Sequence, residues 1–303
     1  MENIVKNKKL VHAYLFLSPD ELNNFYHALT FASEILCEKN EICGECGDCK
    51  KIFAKTNPDL LIFPSGKNIV VDDAETIVEK SYETPMNGRV KVFILKNIDT
   101  ATTQAQNKIL KTLEEPESHS IFLLTATNEN KVLQTIISRT QKEYLCPMMQ
   151  DELEKFILNP PKLFREYFDF NKKFLANEIE TAVKYGEGWL GKTIEALSSN
   201  TLLDKLKLAD EIVSNFSSSK DFSKYSAKVV VYRDELRSFL EILETVLRQK
   251  LIVSSLDKSL AYGEIIEHIN NAYLEIERNV SINLIIDNLL MKILEIKYNN
   301  NLI

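Results

Sequence analysis

The chain has 303 residues, long enough for two or three domains with sizeable cores. Apolar residues make up 45% and charged residues 27%, the balance of a soluble globular protein; a net charge of −7 excludes a surface that grips nucleic acid by charge alone. No apolar run approaches the roughly 18 residues of a membrane span. The start, Met1–Leu17, lacks the long apolar core and small-residue cleavage site of a signal peptide, so a cytoplasmic protein is expected.

In chain order, Ala13–Leu17 (AYLFL) is a short, continuous apolar run and predicts a strand buried on both faces. Proteins that bind nucleoside triphosphates follow such a strand with a glycine-rich loop, whose bare amides wrap the phosphates, and with a lysine. Here Ser18–Phe25 (SPDELNNF) has neither glycine nor lysine, and Asp20 and Glu21 would repel a triphosphate. A helix is predicted from Phe25 to Leu36, with Phe25, Leu29, Ala32 and Leu36 on one face.

Next come Cys37, Cys43, Cys46 and Cys49, spaced C-x5-C-x2-C-x2-C, with Gly44 and Gly47 in the turns. That spacing matches a tetrahedral zinc site of four cysteines, and four thiolates leave no open position for water, so a structural ion is expected. Two disulfides are a rival that a reducing cytosol argues against, and an iron–sulfur cluster is a second. The fifth cysteine, Cys146, lies in the strand-like EYLCP and is expected in the core.

Asn57-Pro58-Asp59-Leu60 leads into a strand, LLIFP, followed by a helix over Ile69–Lys80 with Ile77 and Val78 inward. Pro85–Arg89 turns the chain into the strand Lys91–Leu95 (KVFIL). Thr102 or Thr103 then caps a helix, Thr103 and Gln106 having capping-box spacing. Ala105, Ile109, Leu110 and Leu113 form its apolar face, and Pro116 stops it after Glu114 and Glu115. Ile121–Thr127 (IFLLTAT) is the next strand, completing a parallel crossover unit. No pattern asks for hydrolytic chemistry. The histidines (His12, His27, His119, His268) are scattered, and adjacent Glu114 and Glu115 diverge by about 100° on a helix.

Beyond Pro147 the chain becomes helical, broken at Pro160-Pro161, and holds a glycine-rich turn at Tyr185–Thr193 in which Trp189 is a packing anchor. After Ser198–Thr201 two long stripes recur at 3–4 spacing. One runs Leu236, Phe239, Leu240, Leu243, Val246, Leu247, Leu251 and the other Ile282, Ile285, Ile286, Leu289, Leu290, Ile293, Leu294. They suit a bundle core or an oligomer interface equally.

The wording of Asn107–Pro116 (NKILKTLEEP), followed by a strand and then Ser138-Arg139, resembles the bacterial clamp-loader proteins of the AAA+ class. That family writes N-x-L-L-K-T-L-E-E-P before its sensor 1 strand and S-R-C after it; Ile109 and Thr140 are the departures. It also has H-P-D-L where Asn57–Leu60 stand, a zinc module in the first domain, and N-x-N-x-x-L opening the last helix, where Asn279–Leu284 stand. The resemblance runs over nearly the full length and is strongest to the delta-prime branch.

It implies an α/β AAA+-like domain over residues 1–147, a parallel sheet with flanking helices and the zinc module (37–49) inserted. An all-α lid (148–199) and an all-α collar (200–303) would follow. Against the family's G-P-x-G-x-G-K-[ST], Asn24 replaces the lysine and Phe25 the hydroxyl; Lys96 and Asn97 replace its acidic pair, leaving Asp99 alone. Lys192 is the nearest basic residue to the sensor 2 arginine. The implied protein binds no ATP and carries structural Zn2+. It works with the gamma/tau ATPase subunits and the delta subunit, meets the sliding clamp and primed DNA through that complex, and offers Arg139 in trans as an arginine finger. The rivals are an active gamma/tau-type ATPase and a zinc-dependent nucleic-acid-binding module outside replication.

Overall fold

The computed structural model describes residues 10–64, 68–168, 170, 173–300 and 302. Residues 1–9, on which part of the leader argument rests, lie outside the described residues. Two compact units emerge: Met1–Lys173 with Glu187–Lys192, and Phe174–Gly186 with Thr193–Ile303. Among the described residues, no helix is long and apolar enough to cross a membrane.

The first unit is built on five strands: β1 (Ala13–Leu17), β2 (Leu60–Phe63), β3 (Lys91–Leu95), β4 (Ser120–Ala126) and β5 (Gln141–Tyr144). All pairings are parallel and the spatial order is β2-β3-β4-β1-β5. Leu15 pairs with Leu124, and Ile94 with Leu123. The continuous apolar runs follow from burial on both faces. Leu15, Phe93, Phe122 and Leu124 meet Ile77 of α3 (Val71–Ser81), Ala105, Ile109 and Leu113 of α4 (Thr103–Glu114), and Ile136 of α5 (Gln134–Ile137). On the other face Tyr14, Phe16, Ile94 and Leu123 meet Leu29, Phe31 and Ala32 of α1 (Glu21–Leu36) and Ile52 of α2 (Gly47–Phe53). Alternate strand residues thus feed two separate cores, which is what a covered parallel sheet requires.

Several local expectations change. The helix α1 starts at Glu21, leaving only Ser18, Pro19 and Asp20 as the loop after β1. Asp20 supplies the reason: its Oδ1 accepts the Asn23 amide at 2.7 Å and caps the helix there. At α4 the cap is Thr102, whose hydroxyl accepts the Ala105 amide at 3.2 Å. Gln106 closes no capping box; it donates to Lys131 O and accepts from Leu133 N, stapling α4 to the segment after β4. The helix predicted at 69–80 runs from Val71 to Ser81, with Ile77 buried and Val78 half-buried. Cys146 is exposed, because β5 is an edge strand that ends at Tyr144.

The Asn57–Leu60 motif has a structural task. Both Asp59 oxygens accept backbone amides from the turn before β3: Met86 at 2.7 Å, Asn87 at 2.8 Å and Gly88 at 2.9 Å. Burial opposes charge on Asp59, but the three amides and nearby Lys91 outweigh it and hold the carboxyl below the usual range. A depressed folded value stabilises the fold above the unfolded pKa, near 4, and that contribution fades as pH falls through the folded value. Asp59→Asn is therefore expected to cost about 2–3 kcal/mol in urea unfolding at neutral pH, with the difference shrinking in acid. A pH-independent difference would show that the charge is irrelevant.

Pro160-Pro161 separates α6 (Gln150–Leu158) from α7 (Lys162–Phe168). The second unit comprises α8 (Ala176–Gly186), the later part of α9 (Leu190–Ser198), α10 (Asn200–Asn215), α11 (Phe222–Val230), α12 (Leu236–Val253), α13 (Leu256–Glu277) and α14 (Ile282–Asn299). Most of both apolar stripes turns inward: Leu236, Phe239, Leu240 and Leu243 are buried with Ile285, Ile286, Leu289 and Leu290. Leu251, Ile282 and Leu294 at their margins are half-buried. Lys297 is buried too. Its ammonium donates to the Ile212, Val213 and Phe216 carbonyls at the end of α10, while burial pushes its pKa down to about 8.

Candidate functional site

Open parallel sheets bind ligands beyond the carboxyl ends of their strands. There, past Leu17, Leu95 and Ala126, this chain places its own side chains. Asn24 is fully buried, and its amide nitrogen donates to Ser18 O at 3.0 Å and Ala126 O at 2.9 Å, tying the first turn of α1 to the end of β4. The Lys96 ammonium lies 5.1 Å from the centre of the Phe25 ring, a cation–π pair. Asn97, in the left-handed conformation at φ 52°, donates its amide N–H to Thr125 Oγ1 and its side-chain NH2 to Glu21 Oε1. Asp99 accepts from Thr127 N, Thr127 Oγ1 and Asn128 N at 2.9–3.1 Å, so its Oδ2 is committed to the turn after β4. The side chains there are engaged in pairs: Phe25 with Lys96, Glu21 with Asn97.

Arg139 sits elsewhere. It precedes β5, whose Gln141 pairs with Tyr14 near the amino end of β1. Five residues of extended chain, roughly 15 Å, separate that end from the loop after β1. The guanidinium donates to Thr135 O at 2.9 Å and Ser138 Oγ at 3.3 Å, and pairs with Glu114 Oε1 at 2.7 Å. It faces a groove of about 710 Å³ lined also by His12, Glu115 and Gln141. Sequence reasoning took Glu114 as a plain helix-end residue and missed this ion pair, whose partners are 25 positions apart. Lys108, on the same helix, pairs with Glu75.

The four cysteines converge. Every pair of sulfurs among Cys37, Cys43, Cys46 and Cys49 lies within 4.8 Å, with Cys37–Cys43 at 3.5 Å, Cys37–Cys46 at 3.8 Å and Cys43–Cys49 at 3.9 Å. A tetrahedron with metal–sulfur bonds of about 2.3 Å has edges of about 3.8 Å, whereas a disulfide needs about 2.05 Å. The donor set therefore fits a thiolate-bound metal ion. Cys37 follows α1; Cys46 caps α2, its sulfur accepting the Cys49 amide at 3.4 Å. Gly44, at φ +72°, makes the turn between Cys43 and Cys46 that a side chain would strain. Gly47 has no such demand: it opens α2 with free space around it. Amide donation from Cys46 and Glu45 draws the Cys43 thiol down to about 6, while burial pushes Cys49 up. Crowded thiols ionise together only around a cation.

Comparison with known proteins bears most strongly on the first half of the chain. A family model described as DNA polymerase III, delta subunit, matches residues 1–148. DNA polymerase III subunit tau of Bacillus subtilis (strain 168) is 36% identical over 145 residues, 47% of this chain and 26% of that protein. Subunit delta' of the same organism is 31% identical over 155 residues, 50% of this chain and 47% of that protein. The chain thus spans about half or less of the length of these curated relatives. A crystal structure of a DNA polymerase III gamma subunit-related protein from Thermotoga maritima MSB8 aligns over 98% of this chain and 99% of that one. With a TM-score of 0.50 and 18% identity, it shows a shared fold. Together with the parallel sheet and the residues around Asn107–Pro116, these matches make residues 1–148 similar to the DNA polymerase III subunits of the clamp-loader AAA+ family.

Proposed function

We propose that the chain is a non-catalytic, delta-prime-type subunit of the DNA polymerase III clamp loader, helping to load the sliding clamp onto primed DNA. One observation carries this reading: the chain's own nucleotide position is filled by Phe25–Lys96 and Glu21–Asn97, with Asp99 committed to a turn. In this reading Arg139 serves a neighbouring gamma/tau ATPase. What supports it is the distance of Arg139 from its own nucleotide end and its aim into an open groove. Residues 148–199 act as a lid and 200–303 as a collar that meets sister subunits, the delta subunit among them. Cys37, Cys43, Cys46 and Cys49 hold a structural zinc, whose chemistry is purely to cross-link the segment between α1 and α2.

An active gamma/tau-type ATPase is the second reading, favoured by the 36% identity to subunit tau. It requires phosphate and magnesium groups that Asn24, Phe25 and Lys96 do not supply. The test is assembly. Mixed with the gamma/tau and delta chains of its own organism, the protein is expected to co-elute as one complex in size-exclusion chromatography without added nucleotide. Separate elution of all three would overturn the subunit assignment.

A further inference from the structure

Asp20 is 6% exposed, yet its carboxylate gathers three backbone amides from two helix starts. Oδ1 accepts from Asn23 N in the first turn of α1 at 2.7 Å. Oδ2 accepts from Gly191 N at 2.7 Å and Lys192 N at 3.2 Å in the first turn of α9. These groups are 171 and 172 positions from Asp20 in the chain, and all belong to the first compact unit. The approach needs a glycine: a Cβ on Gly191 would lie 2.6 Å from Oδ1 and 2.9 Å from Cγ. Lys192 contributes only its amide, since its ammonium reaches Glu187 at 3.7 Å.

Helix starts that converge in this way attract oxyanions, because their first amides have no partner inside the helix. Buried polar atoms concentrate in the neighbouring turns. Asn23, 1% exposed, has neither amide atom paired among the described residues, and the same holds for Asn24 Oδ1, Asn97 Oδ1 and Asp99 Oδ1. This polar interior suits a phosphate ester better than an apolar core. The chain nevertheless puts its own carboxylate on the three amides.

We propose that Asp20 is a built-in oxyanion: its carboxylate fills the cradle between the starts of α1 and α9. There it pins residues 187–192 as a bound phosphate oxygen would and closes the cradle to free phosphates. An incoming phosphate meets both occupied donors and a like charge. The inference rests on the reading above that this chain binds no nucleotide, and it names the residue that enforces that state.

Hydrogen exchange of the full chain tests it. Asp20→Ser keeps a good helix cap on α1 but is too short to reach Gly191. Exchange at residues 187–192 should accelerate about tenfold or more, and millimolar inorganic phosphate should slow it again. Gly191→Ala keeps the Asp20 carboxylate but drives a Cβ against it, breaks the contact from the other side and should accelerate the same amides. Should Asp20→Ser fail to fold, Gly191→Ala decides alone. Unchanged exchange in the variants would overturn the proposal. Faster exchange that phosphate does not reverse in Asp20→Ser would overturn the oxyanion role. Wild-type protein that binds Mg-ATP while Asp20→Ser behaves as expected would sink the functional reading and the closure of the cradle, leaving only the latch on residues 187–192. Wild-type protein that binds none, beside an Asp20→Ser variant still protected at 187–192, would sink the latch alone.

Discussion

Arg139→Ala is expected to lower ATP turnover at the facing site of a partner ATPase by about two or more orders of magnitude while the complex still assembles. On the proposed reading Arg139 has no phosphate of its own to serve, because it lies toward the amino end of the sheet, away from the carboxyl end where such sheets bind ligands. Thr135 O and Ser138 Oγ accept from one terminal nitrogen of the guanidinium and Glu114 pairs with the other, which orients the planar fork. A finger acts on charge that develops in the transition state, so the partner's nucleotide affinity should change far less than its turnover. Arg139→Lys should rescue poorly, since an ammonium cannot reproduce the fork. Steady-state turnover of the reconstituted complex with clamp and primed DNA, beside size-exclusion chromatography, provides the measurement. Normal turnover at the site facing Arg139→Ala would reduce the arginine to a surface residue.

Cys49→Ser is expected to abolish metal binding and loosen residues 37–49. Cys49 is 1% exposed and its sulfur lies 3.9 Å from that of Cys43, so a hydroxyl there leaves three thiolates and a shorter, harder donor. Apparent zinc affinities of such sites correspond to about 10–16 kcal/mol, so losing the ion removes much of what orders the segment. Ile52 and Phe53 remain anchored in the core beside α1, which confines the effect to the module and spares the sheet. Protein purified without chelator should carry about one zinc per chain, and Cys49→Ser nearly none, with faster hydrogen exchange confined to the module. A metal-free wild type with a fully protected module would sink the structural-zinc assignment, as would an iron–sulfur absorption spectrum.

The inner strands β1, β3 and β4 were legible because each is buried on both faces, which forces runs such as Lys91–Leu95 and Ile121–Thr127 toward unbroken apolar character. The cysteine cluster was legible for a different reason, as its ligands lie within one short loop whose spacing carries the geometry. Contacts between distant segments were not. Asp59 captures amides 27–29 positions away, and Asp20 captures Gly191 across 171. Neither leaves a periodic trace, and Asp20 could be read only as a charge hostile to phosphate, without sight of the amides it serves. Cys146 misled in the opposite direction, because local apolar character does not report that a strand lies at the sheet edge. The absence of phosphate-binding residues was visible in the sequence, but the contacts of Lys96 with Phe25 and of Asn97 with Glu21 needed the folded chain.

Calorimetric titration of the isolated, folded chain with Mg-ATP tests the central claim most directly. Asn24 holds the β4 end, Phe25 lies against Lys96, and Asp20 occupies the amides that a phosphate would need. The predicted result is no saturable heat at micromolar nucleotide and no hydrolysis. Stoichiometric, magnesium-dependent binding in that range would contradict the account and make the chain an ATPase of the gamma/tau type.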